Sequence, residues 1–304
     1  MNFLSHSSPL QNIQSPLFPG IDLWVKRDDL LQPQVSGNKF RKLKHTLLAA
    51  DPRLTTLVSM GGAWSNHLHA LAHAGHILGF RTIGLVRGIP GEAQALTATL
   101  EDCRQLGMEL HFVSRADYRE LRDQIDHWRL WVPPESNNYL WLPEGGSSVE
   151  AVRGMAELVD EVRHELGEHP SNMIVACGTG TSLAGIVAGM QDRGRVIGIA
   201  AVQNSQYLRA QIQELLVRAE HPAYDNFDIL HEFTHGGFAK TSPQLLAFCD
   251  RFFADTHIPV EPIYTGKMFY ALHQLCHAGK FSAGERVVAV HTGGLQGNRG
   301  FLQS

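Results

Sequence analysis

Residues 172–186 read NMIVACGTGTSLAGI and carry the clearest signal for the fold of this chain. An apolar run of strand length, NMIVAC, passes into the glycine-rich turn GTG, and a helix-forming stretch follows. Repeated βα units of this kind build a parallel sheet that is covered by helices. The backbone N–H groups where such a helix begins are suited to bind an anion. A tight turn that binds nothing needs the same glycines, so both interpretations stay open.

The same alternation of strand and helix recurs along the chain. Further buried strands are predicted at 55–60, 81–88, 108–114, 138–146, 195–202 and 286–294. Amphipathic helices are predicted between them, for example at 66–79 and 147–167. We therefore predict an α/β fold with open, mostly parallel sheets and helices on both faces.

Composition narrows the class of protein. The chain has 304 residues, a formal net charge of −4 and four widely spaced cysteines without a CxxC motif. The acidic balance argues against nucleic-acid binding, and the cysteine spacing suggests neither a zinc site nor a disulfide framework. No signal peptide and no apolar run of membrane-spanning length is recognised. We expect a cytoplasmic protein without membrane or nucleic-acid partners.

Several predicted strands end in glycine-rich turns that carry polar residues. They are SMGGAWSNH (59–67), LPEGGSS (142–148), CGTGTS (177–182) and HTGG (291–294). Ligands of open α/β sheets bind at the carboxyl ends of the strands, so these turns are the candidate site. Ser65 and Asn66 have a simpler alternative role, because either residue is a common helix cap.

Lys39 in the segment SGNKFRKLKHTLLAA (36–50) stands out because it lies in the first turn of a predicted helix. A cation is unfavourable there, since the positive end of the helix dipole opposes it. A lysine that is desolvated beside an anion site tends towards the neutral amine, which attacks carbonyl groups. Lys42 and Lys44 are interpreted as ordinary surface lysines.

Three histidines, His69, His73 and His76, have a spacing that would place them on one stripe of a helix. The stripe is predicted to lie away from the apolar face, and no carboxylate or cysteine accompanies it in sequence. We interpret it as a solvated polar face and predict no metal site.

Six motifs in a fixed order carry a resemblance to a known family. WVKRDDL, SGNKFRKL, GGAWSNH, CGTGTSLAG, YTGK and HTGG resemble the fold type II pyridoxal-phosphate enzymes, and among them the 1-aminocyclopropane-1-carboxylate deaminase/D-cysteine desulfhydrase family. The resemblance implies pyridoxal 5'-phosphate as the cofactor, a homodimer, and a two-domain fold like that of the tryptophan synthase β subunit. The large domain would comprise 1–51 plus 151–304, with a small α/β domain, 52–150, inserted.

The resemblance also implies roles for individual residues. Lys39 would bind the cofactor covalently and later remove the Cα proton of the substrate. The phosphate would be held by backbone N–H groups of Gly178, Thr179, Gly180, Thr181 and Ser182. Asn66 would bond the phenolic oxygen of the cofactor and contact the substrate, and Ser65 would meet the substrate carboxylate or assist proton transfer.

The remaining implied positions surround the ring and the substrate. Tyr264 would flank both as a catalytic residue, and Thr265 and Thr292 would lie near the pyridine nitrogen. His67 would contact the substrate. Trp64 stands where the family usually has glutamine, and Phe238 replaces a family tyrosine; both would line the substrate pocket.

The resemblance implies a lyase that catalyses β-elimination from a small amino acid such as D-cysteine, giving a keto acid, ammonia and sulfide. Ring-opening deaminases typically carry glutamate and leucine where this chain has Thr265 and Thr292. A carboxylate keeps the pyridine nitrogen protonated and a hydroxyl does not, which favours the desulfhydrase. The alternatives are the deaminase, an amino-acid racemase, and a non-catalytic phosphate-ligand binding protein that has no need of the Lys39 amine.

Overall fold

The computed structural model describes residues 6–35, 37–89, 95–134 and 138–301. These residues form ten strands and nine α-helices. The strands are β1 Leu10–Ile13, β2 Ile21–Lys26, β3 Thr55–Gly61, β4 Arg81–Arg87, β5 Glu109–Val113, β6 Asn138–Leu142, β7 Asn172–Cys177, β8 Arg195–Ala200, β9 Phe227–Leu230 and β10 Glu285–Val290. The helices are α1 Asn38–Ala49, α2 Asn66–Leu78, α3 Ala98–Gln105, α4 Arg115–Asp123, α5 Val149–Leu166, α6 Thr181–Met190, α7 Leu208–Arg218, α8 Pro243–Thr256 and α9 Thr265–His277.

The strands form two sheets, called here the large sheet and the small sheet. The large sheet has the order β1-β2-β10-β7-β8-β9, and the small sheet has the order β5-β4-β3-β6. Among the described strands, β1 pairs antiparallel with its neighbour and the remaining pairs in both sheets are parallel. The prediction of mostly parallel sheets is therefore confirmed, as are the seven predicted strands. Strands β1, β2 and β9 were not predicted from the sequence, because they are short or carry charged residues.

In the sequence, the strands of the small sheet lie between the first two strands of the large sheet and its remaining strands. Strands of the large sheet lie within 10–26 and 172–290, and those of the small sheet lie within 55–142. Strand β2 pairs in parallel register with β10, so the two ends of the chain meet in one sheet. This order agrees with an inserted small domain, while the boundaries given above stay a prediction.

Helices cover both faces of the large sheet, as predicted. Along β7, Met173 and Val175 pack into the cluster formed with α5, α6 and α7, whereas Ile174 and Ala176 pack into the cluster formed with α8 and α9. Successive side chains of a strand point to opposite faces, so a strand buried on both sides is apolar throughout. The unbroken apolar run NMIVAC follows from this placement. None of the described helices has the length and apolarity that crossing a membrane requires.

The chain brings the start of α1 against the carboxyl end of β10 through one glycine. Gly37 has φ +69°, and a Cβ on it would lie 1.9 Å from the carbonyl oxygen of Thr292. The N–H of Asn38 donates to that same oxygen at 3.1 Å. Glycine is required here for both conformation and space, and it places Lys39 at the edge of the large sheet.

Candidate active site

A cavity of about 1720 Å³ opens where the carboxyl ends of both sheets face each other. The predicted residues that line it are Lys39, Trp64, Ser65, Asn66, His67, Gly178, Thr179, Gly180, Ser182, Phe238, Tyr264 and Thr292. Two predicted residues, Thr181 and Thr265, are fully buried and do not line it. The structure thus brings most of the candidate residues together around one space.

Lys39 is the second residue of α1 and is partly buried at the cavity wall. Burial lowers the pKa of its amine from the ordinary value of 10.5 to about 8. Its Nζ donates to Oδ1 of Asn38 at 3.2 Å. An amine with this pKa has a neutral fraction of roughly one fifth near pH 7.4, far more than an ordinary lysine, and this neutral form can act as a nucleophile and a base. Ser36, the first residue of the SGNK motif, lies outside the described residues.

The N-terminus of α6 forms a cradle of backbone groups. Gly180 is its N-cap with φ +77°, and the first intrahelical bond runs from the N–H of Ala184 to the oxygen of Gly180 at 2.9 Å. The N–H groups of residues 181–183 precede this ladder and have no intrahelical partner. The hydroxyl of Thr181 is fully buried and donates to Ser147 Oγ at 2.9 Å, so its hydrogen is already engaged. Any anion here would therefore be held mainly by the backbone and by the positive end of the helix.

Lys42 is a cavity residue, and its interpretation as a surface lysine is wrong. Its side chain is 3% exposed, and Nζ donates to the oxygen of Gly145 at 3.3 Å. Burial, followed by repulsion from Lys39, holds its pKa well below the usual range. A signal was present in the sequence, because residues three apart on a helix share a face and Lys42 is three positions after Lys39. Lys44 is paired with Glu157 at 2.6 Å instead.

The start of α2 faces the same space from the small sheet. Ser65 is the N-cap, and its Oγ accepts the N–H of Leu68 at 3.2 Å, so the capping role is confirmed for this residue. Because the hydroxyl acts there as an acceptor, its own hydrogen is free to be donated to a ligand. The N–H groups of Asn66 and His67 belong to the first turn and are not part of the helical ladder.

His67 is buried with a defined tautomer. The hydroxyl of Ser59 donates to the oxygen of Leu142 at 2.7 Å, so it accepts from Nε2 of His67 at 2.9 Å. Nε2 therefore carries the hydrogen, and Nδ1 is a bare acceptor. Nδ1 is buried and has no hydrogen-bond partner among the described residues. Burial, followed by the charges of Lys39 and Lys42, keeps the pKa of His67 well below its ordinary value, so the ring is neutral.

The histidine stripe on α2 differs from the predicted solvated face. His69 is 8% exposed and its Nε2 bonds Asp102 Oδ2 at 3.1 Å, so the prediction is wrong for this residue. His73 is half-buried and His76 is exposed. Asp102 comes from α3 and could not be placed beside the stripe from sequence spacing. The described part of the chain contains no cluster of His, Cys, Asp and Glu suited to a metal ion.

Tyr264 lies on the CGTGTS turn. A Cβ on Gly178 would be 3.1 Å from Cε1 of Tyr264, so the ring rests on the bare backbone of the turn. Burial raises the pKa of Tyr264 well above its ordinary value, and the hydroxyl stays protonated. Phe238 packs edge-on against this ring, with 6.1 Å between the centroids, and is 51% exposed. Lys267 of the YTGK motif donates to the oxygen of Gly237 at 2.8 Å and so fixes the segment that carries Phe238.

The two threonines that the resemblance implies near the pyridine nitrogen have different surroundings: Thr292 lines the cavity and Thr265 does not. The hydroxyl of Thr265 accepts from the N–H of Glu261 at 3.1 Å and lies 3.1 Å from the Glu261 carboxylate. Burial raises the pKa of Glu261 to about 7, although N–H bonds from residues 263–265 oppose the shift. Thr292 faces the cavity. Trp64 also lines the cavity, and its ring lies against Gly300, where a Cβ would be 3.4 Å away from Cδ2.

These groups fit an aromatic aldehyde that bears a phosphate. The backbone cradle of α6 suits a dianion, which would favour the protonated form of the buried Lys42 amine, and Lys39 supplies a second amine with a lowered pKa. Gly145 and Gly178 keep the walls free of side chains where Thr179 and Tyr264 approach the backbone. The glycines leave room that any larger residue would fill.

Comparison with known proteins agrees with this fit. The model of the family described as pyridoxal-phosphate dependent enzyme matches residues 7–293. The bifunctional D-cysteine desulfhydrase/1-aminocyclopropane-1-carboxylate deaminase, mitochondrial, of Arabidopsis thaliana is 27% identical and covers 96% of this chain and 79% of its own. The 1-aminocyclopropane-1-carboxylate deaminase of Ralstonia pickettii is also 27% identical, over 94% and 90% of the two chains.

A solved structure supports the fold. The crystal structure of a homologue of ACC (1-aminocyclopropane-1-carboxylate) deaminase superposes with a TM-score of 0.81 at 23% identity and covers 99% of this chain and 94% of its own. The cofactor of this family is pyridoxal 5'-phosphate. The chain therefore belongs to the pyridoxal-phosphate-dependent enzyme family and has the fold of its type II members.

Proposed function

We propose that this enzyme catalyses β-elimination from a small amino acid with a leaving group on Cβ, with D-cysteine as the first candidate. D-cysteine and water would give pyruvate, ammonia and sulfide. The observation that carries the proposal is the Lys39 amine, whose pKa burial lowers to about 8, between the anion cradle of α6 and the polar start of α2. The name of the Arabidopsis relative supports this substrate.

Pyridoxal phosphate, when bound, supplies the electron sink for charge that develops at the substrate Cα. Lys39 would hold the cofactor, and its free amine would accept the Cα proton of the substrate at Nζ. The Ser65 hydroxyl and the N–H groups of Asn66 and His67 bind the substrate carboxylate, helped by the positive end of α2. Tyr264 remains protonated because burial raises its pKa, so it is a donor for the departing group.

Thr292 is proposed to face the pyridine nitrogen, since the hydroxyl of Thr265 is already engaged with Glu261. A neutral hydroxyl does not hold that nitrogen protonated. The electron sink is then shallower than with a carboxylate, which favours elimination over ring opening. Trp64 and Phe238 are proposed to shape the substrate side of the cavity. A cytoplasmic homodimer stays a prediction.

Deamination of 1-aminocyclopropane-1-carboxylate is the second candidate, because several relatives carry that name. The two reactions give different keto acids, pyruvate from D-cysteine and 2-oxobutanoate from the cyclopropane. A racemase would give neither product and would invert the substrate. A phosphate-ligand binder would bind the cofactor equally well without the Lys39 amine.

The test is a visible absorption spectrum of the purified protein with pyridoxal phosphate, followed by each substrate and an assay of both keto acids. We expect a band from the lysine-bound cofactor, a change on adding D-cysteine, and pyruvate. Lys39→Ala should abolish the band and the product, whereas Lys44→Ala on the same helix should keep both, since Lys44 pairs with Glu157 outside the cavity lining. A band with 2-oxobutanoate as the sole product would replace the desulfhydrase by the deaminase. No band, or a band that Lys39→Ala retains, would overturn the Lys39 assignment.

A further inference from the structure

The segment Leu295–Gly300, which follows the HTGG turn, reaches across to α2 and α3. Gln296 in this segment is bonded at both ends of its side-chain amide. Its Oε1 accepts from Thr99 Oγ1 at 2.9 Å and from Arg299 Nη2 at 3.1 Å, and its Nε2 donates to Oδ1 of Asn66. Arg299 is itself held by Asp102, with 2.6 Å between Nη2 and Oδ2. A continuous series of polar contacts therefore runs from Asp102 through Arg299 and Gln296 to Asn66. Asn66 is the residue that is proposed to bond the phenolic oxygen of the cofactor.

This chain of contacts has a fixed direction. A carboxylate only accepts hydrogen bonds and a guanidinium only donates them, so the bond between these two residues must run from Arg299 to Asp102. The Gln296 atom beside Arg299 must then be the oxygen, and its NH2 must point to Asn66. The Asn66 atom that receives this donor must also be an oxygen. Amide orientations are assigned from such networks, and here the charged residues at the far end settle the assignment.

The other end of the Asn66 amide, its NH2, is thereby turned away from Gln296. It lies beside Gly294 of the HTGG turn, where a Cβ would be 2.8 Å from Nδ2. Gly294 has φ +82° and lines the cavity together with Asn66. Glycine leaves the space through which a donor on Asn66 reaches a ligand.

We infer that Gln296 is a positioning residue: it orients the Asn66 carboxamide so that the NH2, and not the oxygen, faces the phenolic oxygen of the bound cofactor. The inference rests on the proposed function. The phenolic oxygen carries negative charge, so it requires a donor from the protein. Without the side chain of Gln296, the Asn66 amide would be free to rotate. If an acceptor replaced the NH2 of Gln296, the Asn66 amide would turn its NH2 towards that acceptor and its oxygen towards the cofactor.

Gln296→Glu tests this directly, because it replaces the NH2 by an oxygen. Arg299 and Thr99 keep their acceptor, while Asn66 must now donate to the introduced carboxylate and present its oxygen to the cofactor. The proton shared between the phenolic oxygen and the lysine-linked nitrogen should then be held more tightly. We expect the pH midpoint of the visible band to rise by roughly one unit, which corresponds to the loss of about one hydrogen bond. The affinity for pyridoxal phosphate, measured by fluorescence titration, should fall by about fivefold to tenfold.

Three matched variants separate orientation from charge. Gln274→Glu adds the same charge at an exposed position of α9 and should change neither quantity. Gln296→Met releases Asn66 without reversing it and should give a smaller shift in the same direction. In an Asn66→Ala background, Gln296→Glu should add no further shift, because the carboxamide that it acts through is gone.

The outcomes distinguish this inference from the proposed function. A wild-type protein with no visible band would overturn both. A normal band with the same midpoint and affinity in Gln296→Glu would overturn the inference alone. A shift that persists in the Asn66→Ala background would also overturn it, since the charge would then act without Asn66. If Gln296→Glu does not fold, Gln296→Met decides, and an unchanged midpoint and affinity would refute the positioning role.

Discussion

The side chain of Asn38 donates from Nδ2 to Ser182 Oγ at 2.9 Å. Its oxygen accepts from Lys39 Nζ at 3.2 Å, so one amide joins the amine of α1 to the anion cradle of α6. Because Ser182 Oγ accepts this bond, its own hydrogen remains available for a ligand. The two helices come from distant parts of the sequence, and this contact sets their spacing at the cavity.

Asn38→Ala should weaken cofactor binding by about fivefold to tenfold, the effect of losing one hydrogen bond that orients a phosphate ligand. The affinity of the apoenzyme for pyridoxal phosphate, measured by fluorescence titration, gives the result. Asn12→Ala is a suitable control, since Asn12 is an exposed residue of β1 that donates to Asp22 of β2 and lies outside the cavity lining. Wild-type affinity in Asn38→Ala would refute the bridging role.

The sequence predicted the parallel sheets and most of the cavity because both depend on local patterns. Apolar strands that end in glycines identify the carboxyl edge of a sheet, where ligands bind. Lys42 was misjudged because the burial of a lysine depends on what α1 packs against, including Gly145, which is distant in sequence. The roles of Gln296 and Asp102 depend on contacts between distant segments, which no spacing within one helix reveals.

Lys42→Met should affect the apoenzyme and the cofactor complex in opposite directions. Burial of the polar Lys42 amine costs desolvation in the apoenzyme, where its pKa is held well below the usual range, so its removal should leave the melting temperature unchanged or higher. In the complex the same change removes a charged donor to the phosphate, and the affinity for pyridoxal phosphate should fall by about tenfold to a hundredfold. Lys44→Met serves as the control, and a lower melting temperature with intact affinity would contradict the assignment.

The lowered pKa of Lys39 predicts how the apoenzyme captures its cofactor. The neutral amine is the form that attacks the aldehyde, so the rate of appearance of the visible band should rise with pH and level off above about pH 8. Stopped-flow mixing with pyridoxal phosphate over a pH series measures this rate. A rate that continues to rise towards pH 10.5, the ordinary pKa of lysine, would show that the amine is not desolvated.

The lowered pKa of Lys39 also predicts that the stability of the apoenzyme depends on pH. Between about pH 8 and pH 10.5 the unfolded chain holds a proton on Lys39 that the folded chain has released. Stability rises with pH wherever the unfolded state binds more protons. The free energy of unfolding of the wild-type apoenzyme, relative to that of Lys39→Met, should therefore increase through this window and be constant below it. Urea unfolding at several pH values tests this, and a flat or falling difference would contradict it.

Thr292 and Thr265 should respond differently to removal of the hydroxyl. Thr265→Val strips the buried N–H of Glu261 of its acceptor, so the free energy of unfolding should fall by about 1–3 kcal/mol. Its visible band should be unchanged once the cofactor is bound. Thr292→Val should keep its stability but lose turnover with D-cysteine, since Thr292 is the threonine proposed to face the pyridine nitrogen. If Thr265→Val alters the visible band and Thr292→Val does not, Thr265 and not Thr292 faces the pyridine nitrogen of the cofactor.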